Sequence, residues 1–183
     1  MARIYTRRGD GGETGRYLGG RVAKDAAGPE AYGTVDEAVA ALALARAFAD
    51  GAVADAILRV QRELFVVAAE LATTPERRDD LEPGISRPDA DMVAALEARI
   101  DELVERHGAP REFVVPGGSP VGAALDLART IVRRAERRAV AYQRETEIDG
   151  SFVVPYLNRL ADYLFMLARS TELEWTPTRQ EEE

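Results

Sequence analysis

The chain has 183 residues, 46% of them hydrophobic and 31% charged, with a formal net charge of -8. That length suits one ordinary domain with a real core, and the acidic balance argues against nucleic acid or an anionic membrane surface as partner, because the mean field repels phosphate. Cysteine is absent and His107 is the only histidine, which excludes disulfides, thiolate metal sites and cysteine nucleophiles and leaves almost nothing for a Ser-His triad or a multi-His metal site.

Residues 1–33 carry Gly9, Gly11, Gly12, Gly15, Gly19, Gly20, Gly28 and Gly33 with no helical periodicity. A stretch that long is either an ordered functional loop or a disordered tail. Thr34-Val35-Asp36-Glu37 fits a capping box, so the first helix is expected from 34 to about 49. A second is predicted over 53–73, where Ile57, Gln61, Leu64, Ala68 and Leu71 recur at helical spacing. Three prolines and clustered charge make 74–88 a connection. A third helix is expected over 89–106, stopped by Gly108 and Pro110. Phe113 to Gly118 reads as a short extended piece, after which Ser119 as N-cap and Pro120 at the first helical position open a fourth helix to about 143. The fifth is expected over 154–173, followed by a frayed tail over 174–183. The chain is therefore expected to be a single domain, residues 1–183: an all-α, five-helix up-and-down bundle (34–173) behind a glycine-rich N-terminal loop. No apolar run approaches the roughly 20 residues of a membrane span, and the opening MARIYTRRGDGG lacks the apolar core of a signal peptide, so a cytoplasmic location is expected.

The fourth helix carries the most informative pattern. Arg129, Arg133, Glu136 and Arg137 stand at i, i+4, i+7 and i+8, on one stripe beside the apolar Leu125, Ala128, Ile131, Val132 and Ala135, with Arg134 and Arg138 one step around. Like charges at about 6 Å repel by a few tenths of a kcal/mol per pair, so such a stripe is stable where it meets carboxylates or a polyphosphate; the alternative is a solvated face. On the fifth helix Asn158, Asp162 and Arg169 share a face. The N-terminal loop could cradle phosphates through backbone N–H groups, but G-x-x-x-x-G-K-[ST] is absent and this is not a P-loop. Lys24 is the sole lysine.

Three blocks resemble the PduO-type ATP:cob(I)alamin adenosyltransferases. They are Ile4 to Gly15, leading through Gly19 to Asp25 and Ala31 to Glu37; Phe113 to Gly118, leading to Ala128 to Arg138; and Tyr156 to Phe165. Their order and spacing match the family from near residue 1 to about residue 170. The resemblance implies a five-helix bundle that assembles as a homotrimer with active sites between subunits. It implies transfer of the 5′-deoxyadenosyl group of ATP to cob(I)alamin, with release of triphosphate. Residues 1–33 would form the ATP loop, with contacts from Thr6, Arg7, Arg8, Gly9, Asp10, Thr14, Gly15 and Lys24. Arg133, Arg134, Glu136 and Arg137 match the phosphate and Mg²⁺ end, Glu136 being the candidate Mg²⁺ ligand, and Asn158 matches a nucleotide contact. Asp36 and Arg129 match a salt bridge across the subunit interface. Phe113 matches an aromatic residue on the lower face of cobalamin, although from sequence alone it reads as a core residue. Arg133 and Phe113 are the expected catalytic pair. A flavin or other cobalamin reductase and a cobalamin-dependent enzyme are the implied partners.

Three features depart from the family pattern. Arg8 stands where a hydroxyl is usual, Glu13 replaces a common threonine, and Arg16-Tyr17 replaces an apolar pair. Two other readings compete. A ferritin-like di-metal bundle needs Glu-x-x-His motifs on two helices, which one histidine cannot supply. A non-catalytic cobalamin carrier or chaperone on the same bundle would not need the cationic cluster formed by Lys24 and the arginine stripe.

Overall fold

In the computed structural model, which describes residues 4–179, five helices account for most of the chain: α1 Ala27–Phe48, α2 Gly51–Leu71, α3 Ala90–His107, α4 Pro120–Thr146 and α5 Val153–Arg169. Ahead of them lies a small antiparallel hairpin of β1 Glu13–Gly15 and β2 Arg21–Ala23. In it Thr14 faces Val22 and Gly15 faces Arg21. The connection after α2 is a 3₁₀ turn, Pro75–Asp80. Residues 180–183 of the expected tail lie outside the described residues.

Helix α1 packs on α2 and α4, α4 on α5, and α5 on α3. The core is built from Val35, Leu42, Ile57, Leu64, Leu125, Val132, Leu157, Leu160 and Leu164, all without solvent exposure. These residues recur at three- and four-residue intervals, as the apolar stripes of a bundle must. Two residues separate α1 from α2, and so short a link favours the second helix packing back antiparallel on the first, as the contacts between them show. Buried polar groups tie the layers. Glu63 on α2 accepts a hydrogen bond from the Tyr156 hydroxyl on α5 at 2.7 Å and pairs with Arg99 on α3 at 3.1 Å. Glu70 pairs with Arg78 at 2.7 Å, and Arg78 also donates to the carbonyls of Asp149 and Gly150, holding the turn before α5.

The start of α4 follows the sequence signal: the Ser119 hydroxyl accepts from the Gly122 N–H at 2.8 Å, with Pro120 at the first helical position. Asp89 caps α3 by accepting from Met92 N–H, and Gly108 ends it at φ 74°, a left-handed backbone glycine adopts without strain. Helix α1 differs from expectation. It begins seven residues before Thr34, at Ala27, and Thr34 is no cap: its hydroxyl donates back to the Glu30 carbonyl at 2.7 Å, inside the helix. Ala26 precedes the helix without a side-chain cap, so nothing polar marks the true start. The hairpin is a second difference, since no alternating pattern announces three-residue strands.

The tail is the third. The described residues after α5, which end at 179, turn back along the extended piece before α4 instead of fraying. Val115 N–H donates to the Thr176 carbonyl at 2.8 Å and Thr178 N–H to the Phe113 carbonyl at 3.0 Å, with Val114 and Pro177 bridged antiparallel. The Trp175 indole N–H donates to the Arg169 carbonyl at 3.1 Å.

Candidate active site

A pocket of about 500 Å³ opens where the extended piece before α4 meets the faces of α4 and α5. Its walls include Phe113, Arg129, Arg133, Asp162 and Phe165. Phe113 is 85% exposed. An aromatic ring left in solvent beside a pocket is not a core residue, and the core reading of Phe113 is set aside. Backbone pairing with the tail at Phe113 and Val115 holds the main chain here, so the exposed ring is carried on a fastened backbone.

The arginine stripe of α4 divides. Arg134 pairs with Glu37 on α1, and Arg138 pairs with Glu30 on α1 at 3.2 Å. Arg129 pairs with Asp126 at 2.9 Å. Arg133 and Arg137 are exposed and make no ion pair among the described residues. Carboxylates thus partner three of the five arginines, and among the described residues two cations remain for an outside anion. Glu136 and Asn158 are joined by a hydrogen bond from the amide at 3.2 Å, and Arg159 donates to the Asn158 oxygen at 2.8 Å. No cluster of three or more metal-ligating side chains occurs among the described residues. A Mg²⁺ ion here would be held by Glu136 together with phosphate and water, the usual mode for that ion.

Below the pocket lies a buried charge cluster that the sequence did not reveal. Arg169 is 1% exposed and Asp126 3%. Arg169 donates to Asp126 and to Glu172 at 3.1 Å, and its guanidinium lies 5.2 Å from the Phe165 ring centre. Arg129 lies over the same ring at 5.8 Å, within cation–π range. Glu172 also accepts from Gly118 N–H at 3.2 Å. The contacts Arg129–Asp126 and Arg169–Glu172 are i, i+3 pairs and legible in principle; the link between them spans 43 positions and is not.

The N-terminal loop forms a separate group. Thr6 accepts from the Arg8 N–H at 3.4 Å, and Arg7 sits at φ 61°, a left-handed conformation uncommon for a side-chain-bearing residue. Asp10 N–H turns back to the Arg7 carbonyl and Gly12 N–H to the Gly9 carbonyl. Lys24 lies close by: a Cβ built on Gly9 would meet its Nζ at 3.2 Å. The Glu13 departure has a structural partner, since Arg21 pairs with it at 3.1 Å diagonally across the hairpin, while donating to the Arg8 carbonyl at 2.7 Å. Arg16 lies near Tyr32 and Tyr142. Burial pushes both phenols above their usual pKa, and the Arg16 charge draws them part of the way back; the Thr14 hydroxyl does the same at Tyr32.

The residues expected at the nucleotide therefore fall into two sets. Thr6 to Lys24 lie on the loop and hairpin, and none of them lines the pocket that holds Arg129, Arg133 and Phe113. Asp36 is exposed on α1, and within the chain Arg129 is paired with Asp126. Farther along the same helix two large apolar side chains also meet solvent, Leu44 48% and Phe48 55% exposed.

A sequence model of the family described as cobalamin adenosyltransferase matches residues 4–171. A corrinoid adenosyltransferase of Bacillus subtilis (strain 168) is 40% identical over 172 residues, spanning 91% of this chain and 85% of that protein. One from Mycobacterium tuberculosis (strain ATCC 25618 / H37Rv) is 41% identical over 180 residues, spanning 92% and 88%. Among solved structures, a phenylalanine-to-alanine variant of a PduO-type ATP:corrinoid adenosyltransferase from Lactobacillus reuteri, complexed with cobalamin and ATP, superposes with a TM-score of 0.86. It is 29% identical and covers 97% of this chain and 100% of that one. An arginine-to-lysine variant from the same organism, complexed with ATP, gives 0.85 at 30% identity, covering 96% and 100%.

Proposed function

This chain belongs to the cobalamin adenosyltransferase family and is a corrinoid adenosyltransferase, and we propose that it moves the 5′-deoxyadenosyl group of ATP onto the cobalt of cob(I)alamin at a site shared between subunits of a homotrimer. The observation that carries the proposal is Phe113: 85% exposed, on the wall of a pocket of about 500 Å³ that also holds Arg129 and Arg133.

In this reading the cobalt attacks C5′ of ATP, the Co–C bond forms, and the C5′–O bond breaks with its electron pair leaving on triphosphate. The nucleophile needs no base, so the absence of cysteine and the presence of a single histidine are no obstacle. What the protein must supply is alignment and charge. Arg133 and Arg137, which make no ion pair among the described residues, suit the phosphates of the departing group, and Lys24 suits them as a point charge from the loop. Glu136, oriented by the Asn158 amide, would hold Mg²⁺ beside the phosphates, and the ion would supply further positive charge there. Phe113 would lie against the lower face of the corrin and keep water and the lower ligand from cobalt, which eases reduction of Co(II) to Co(I) by a flavin or other reductase. The product would pass to a cobalamin-dependent enzyme.

Support for a shared site comes from the two separate residue sets and from the apolar face of α1. A helix apolar on more than its packed side is buried by something, and Asp36, exposed on the same helix, would reach Arg129 of a neighbouring copy. Support for catalysis over a carrier role comes from Arg133 and Arg137, which a carrier has no use for. The test is an anaerobic assay with ATP and chemically reduced cobalamin, read as adenosylcobalamin by its absorbance. Cobalamin binding without transfer, and without stabilisation by ATP (about 2.7 kcal/mol at 100 times its Kd), would establish the carrier instead.

A further inference from the structure

The segment that follows α5 has no part in the chemistry above, yet it is fastened on three sides to the piece that carries Phe113. The Glu172 side chain, 1% exposed, accepts from Gly118 N–H at 3.2 Å and is held from behind by Arg169, whose Nε lies 2.9 Å away. The Thr171 and Ser119 hydroxyls meet at 3.0 Å. Farther on, Thr176 and Thr178 bracket Val114 through the two backbone hydrogen bonds to Val115 and Phe113. The glycines fit this arrangement. A Cβ on Gly118 would meet Glu172 Cγ and Cδ at 2.9 Å, and one on Gly122 would meet its Oε1 at 2.7 Å, distances real side chains do not tolerate. The run Pro116-Gly117-Gly118-Ser119-Pro120-Val121-Gly122 thus leaves room for one carboxylate. That carboxylate joins, through Arg169 and Asp126, the same network that holds Arg129 at the pocket wall.

We propose that Glu172 and the strap Trp175–Thr178 are positioning elements for Phe113, setting where its ring stands in the corrin pocket and hence how well it shields the lower face of cobalt. The proposal rests on the assignment of Phe113 to that face. The ring has no packing partner of its own to fix it, so its place is inherited from its backbone. That backbone is held at one end by Glu172 and at the other by the strap.

The test is Thr178→Pro, which deletes the N–H donated to the Phe113 carbonyl at an exposed position, with Thr178→Ala as the control that keeps that N–H. Thr178→Pro should leave the melting temperature, the KM for ATP and turnover with pre-reduced cob(I)alamin near wild type. It should lower activity from cob(II)alamin with a mild reductant by on the order of 10- to 100-fold, the cost of misplacing a group by about an ångström. Thr178→Ala should match wild type in both assays. In a Phe113→Ala background Thr178→Pro should add nothing, because the strap acts through the ring. Trp175→Phe, which removes the hydrogen bond to the Arg169 carbonyl, should show the same split between assays to a smaller degree. If Phe113→Ala shows the split and Thr178→Pro and Trp175→Phe do not, or if Thr178→Pro worsens Phe113→Ala by its full single-mutant factor, the strap proposal alone is overturned. If Phe113→Ala itself loses both activities equally, the lower-face assignment falls and the strap proposal falls with it.

Discussion

Arg129 Nε lies 2.9 Å from Oδ1 of Asp126 three residues earlier on the same helix, so the arginine that lines the pocket is ion-paired before any neighbouring subunit arrives. A carboxylate from another copy would make it the centre of a three-membered group, with Asp126 anchoring it from below and Asp36 of the next chain from above. In that arrangement Asp36→Ala and Arg129→Ala each weaken assembly, by up to the roughly 3–5 kcal/mol of an uncompensated charge in a partly buried contact. The double variant should lose less than the sum of the two. Sedimentation across a concentration series measures all three. A stable, active monomer at every concentration removes the shared site.

Arg133→Ala should reduce turnover by about 10²–10³, the usual cost of deleting a preorganised charge-stabilising donor, with an unchanged melting temperature. The side chain is exposed and makes no ion pair among the described residues, so the fold has nothing to lose. Steady-state kinetics with pre-reduced cob(I)alamin, beside a thermal melt, separate the two effects. Turnover near wild type would take this arginine out of the reaction.

Phe113→Ala should melt close to wild type, because a ring 85% exposed has little burial to forfeit. A packed phenylalanine would cost about 3–5 kcal/mol on truncation. Denaturant unfolding of the purified variant decides between these values without any assay of activity.

Asp126→Ala should be among the most damaging single changes in the chain. It leaves Arg169, 1% exposed, with only Glu172, and frees Arg129 inside the pocket wall. Removing one partner of a buried ion cluster costs roughly 3–5 kcal/mol, and urea denaturation should read a loss of that size. A loss under about 1 kcal/mol is what a solvated surface pair would give.

Alkaline pH should destabilise the protein through its tyrosines. Burial, reinforced by the Glu63 carboxylate, holds the Tyr156 phenol neutral well above its ordinary pKa of 10.0. The unfolded chain therefore sheds that proton first. Stability from this group is full below pH 10 and falls as pH climbs through the folded-state value. Tyr156→Phe should flatten part of that alkaline decline, while costing about 1–3 kcal/mol at neutral pH because Glu63 loses a hydrogen-bond donor. Chemical denaturation of both proteins at neutral and alkaline pH checks the sign.

The parts of the fold that were readable from sequence are those with local causes. Ser119-Pro120 announces α4 because cap and first-turn proline act within four residues, and the apolar periodicity of α2 and α5 follows from one buried face each. The sequence signal for α1 lies seven residues late because Thr34-x-x-Glu37 mimics a cap that the Thr34 hydroxyl does not make, while the real start at Ala27 has no polar marker. At the site, the arginine stripe was visible as a spacing, but its division was not. Glu30 and Glu37 neutralise Arg138 and Arg134 from another helix, and no rule of spacing along α4 contains that. Glu172 is invisible to spacing for the same reason, since its importance lies in two glycines fifty and fifty-four positions away.

The hairpin's attachment has one more consequence. Strand β2 ends at Ala23 and α1 begins at Ala27, so the loop hangs from the helix by Lys24, Asp25 and Ala26 alone. At about 3.3–3.6 Å per residue such a tether spans roughly 10 Å when fully drawn out. Two further leashes, the Tyr17 N–H to Ala72 carbonyl hydrogen bond at 3.0 Å and the Arg77 guanidinium donating to the Leu18 carbonyl, shorten the reach again. A loop moored at these points can tilt but cannot travel. Its ordering around a ligand is then inexpensive in chain entropy, and the position of the lone lysine is decided by where the first helix starts.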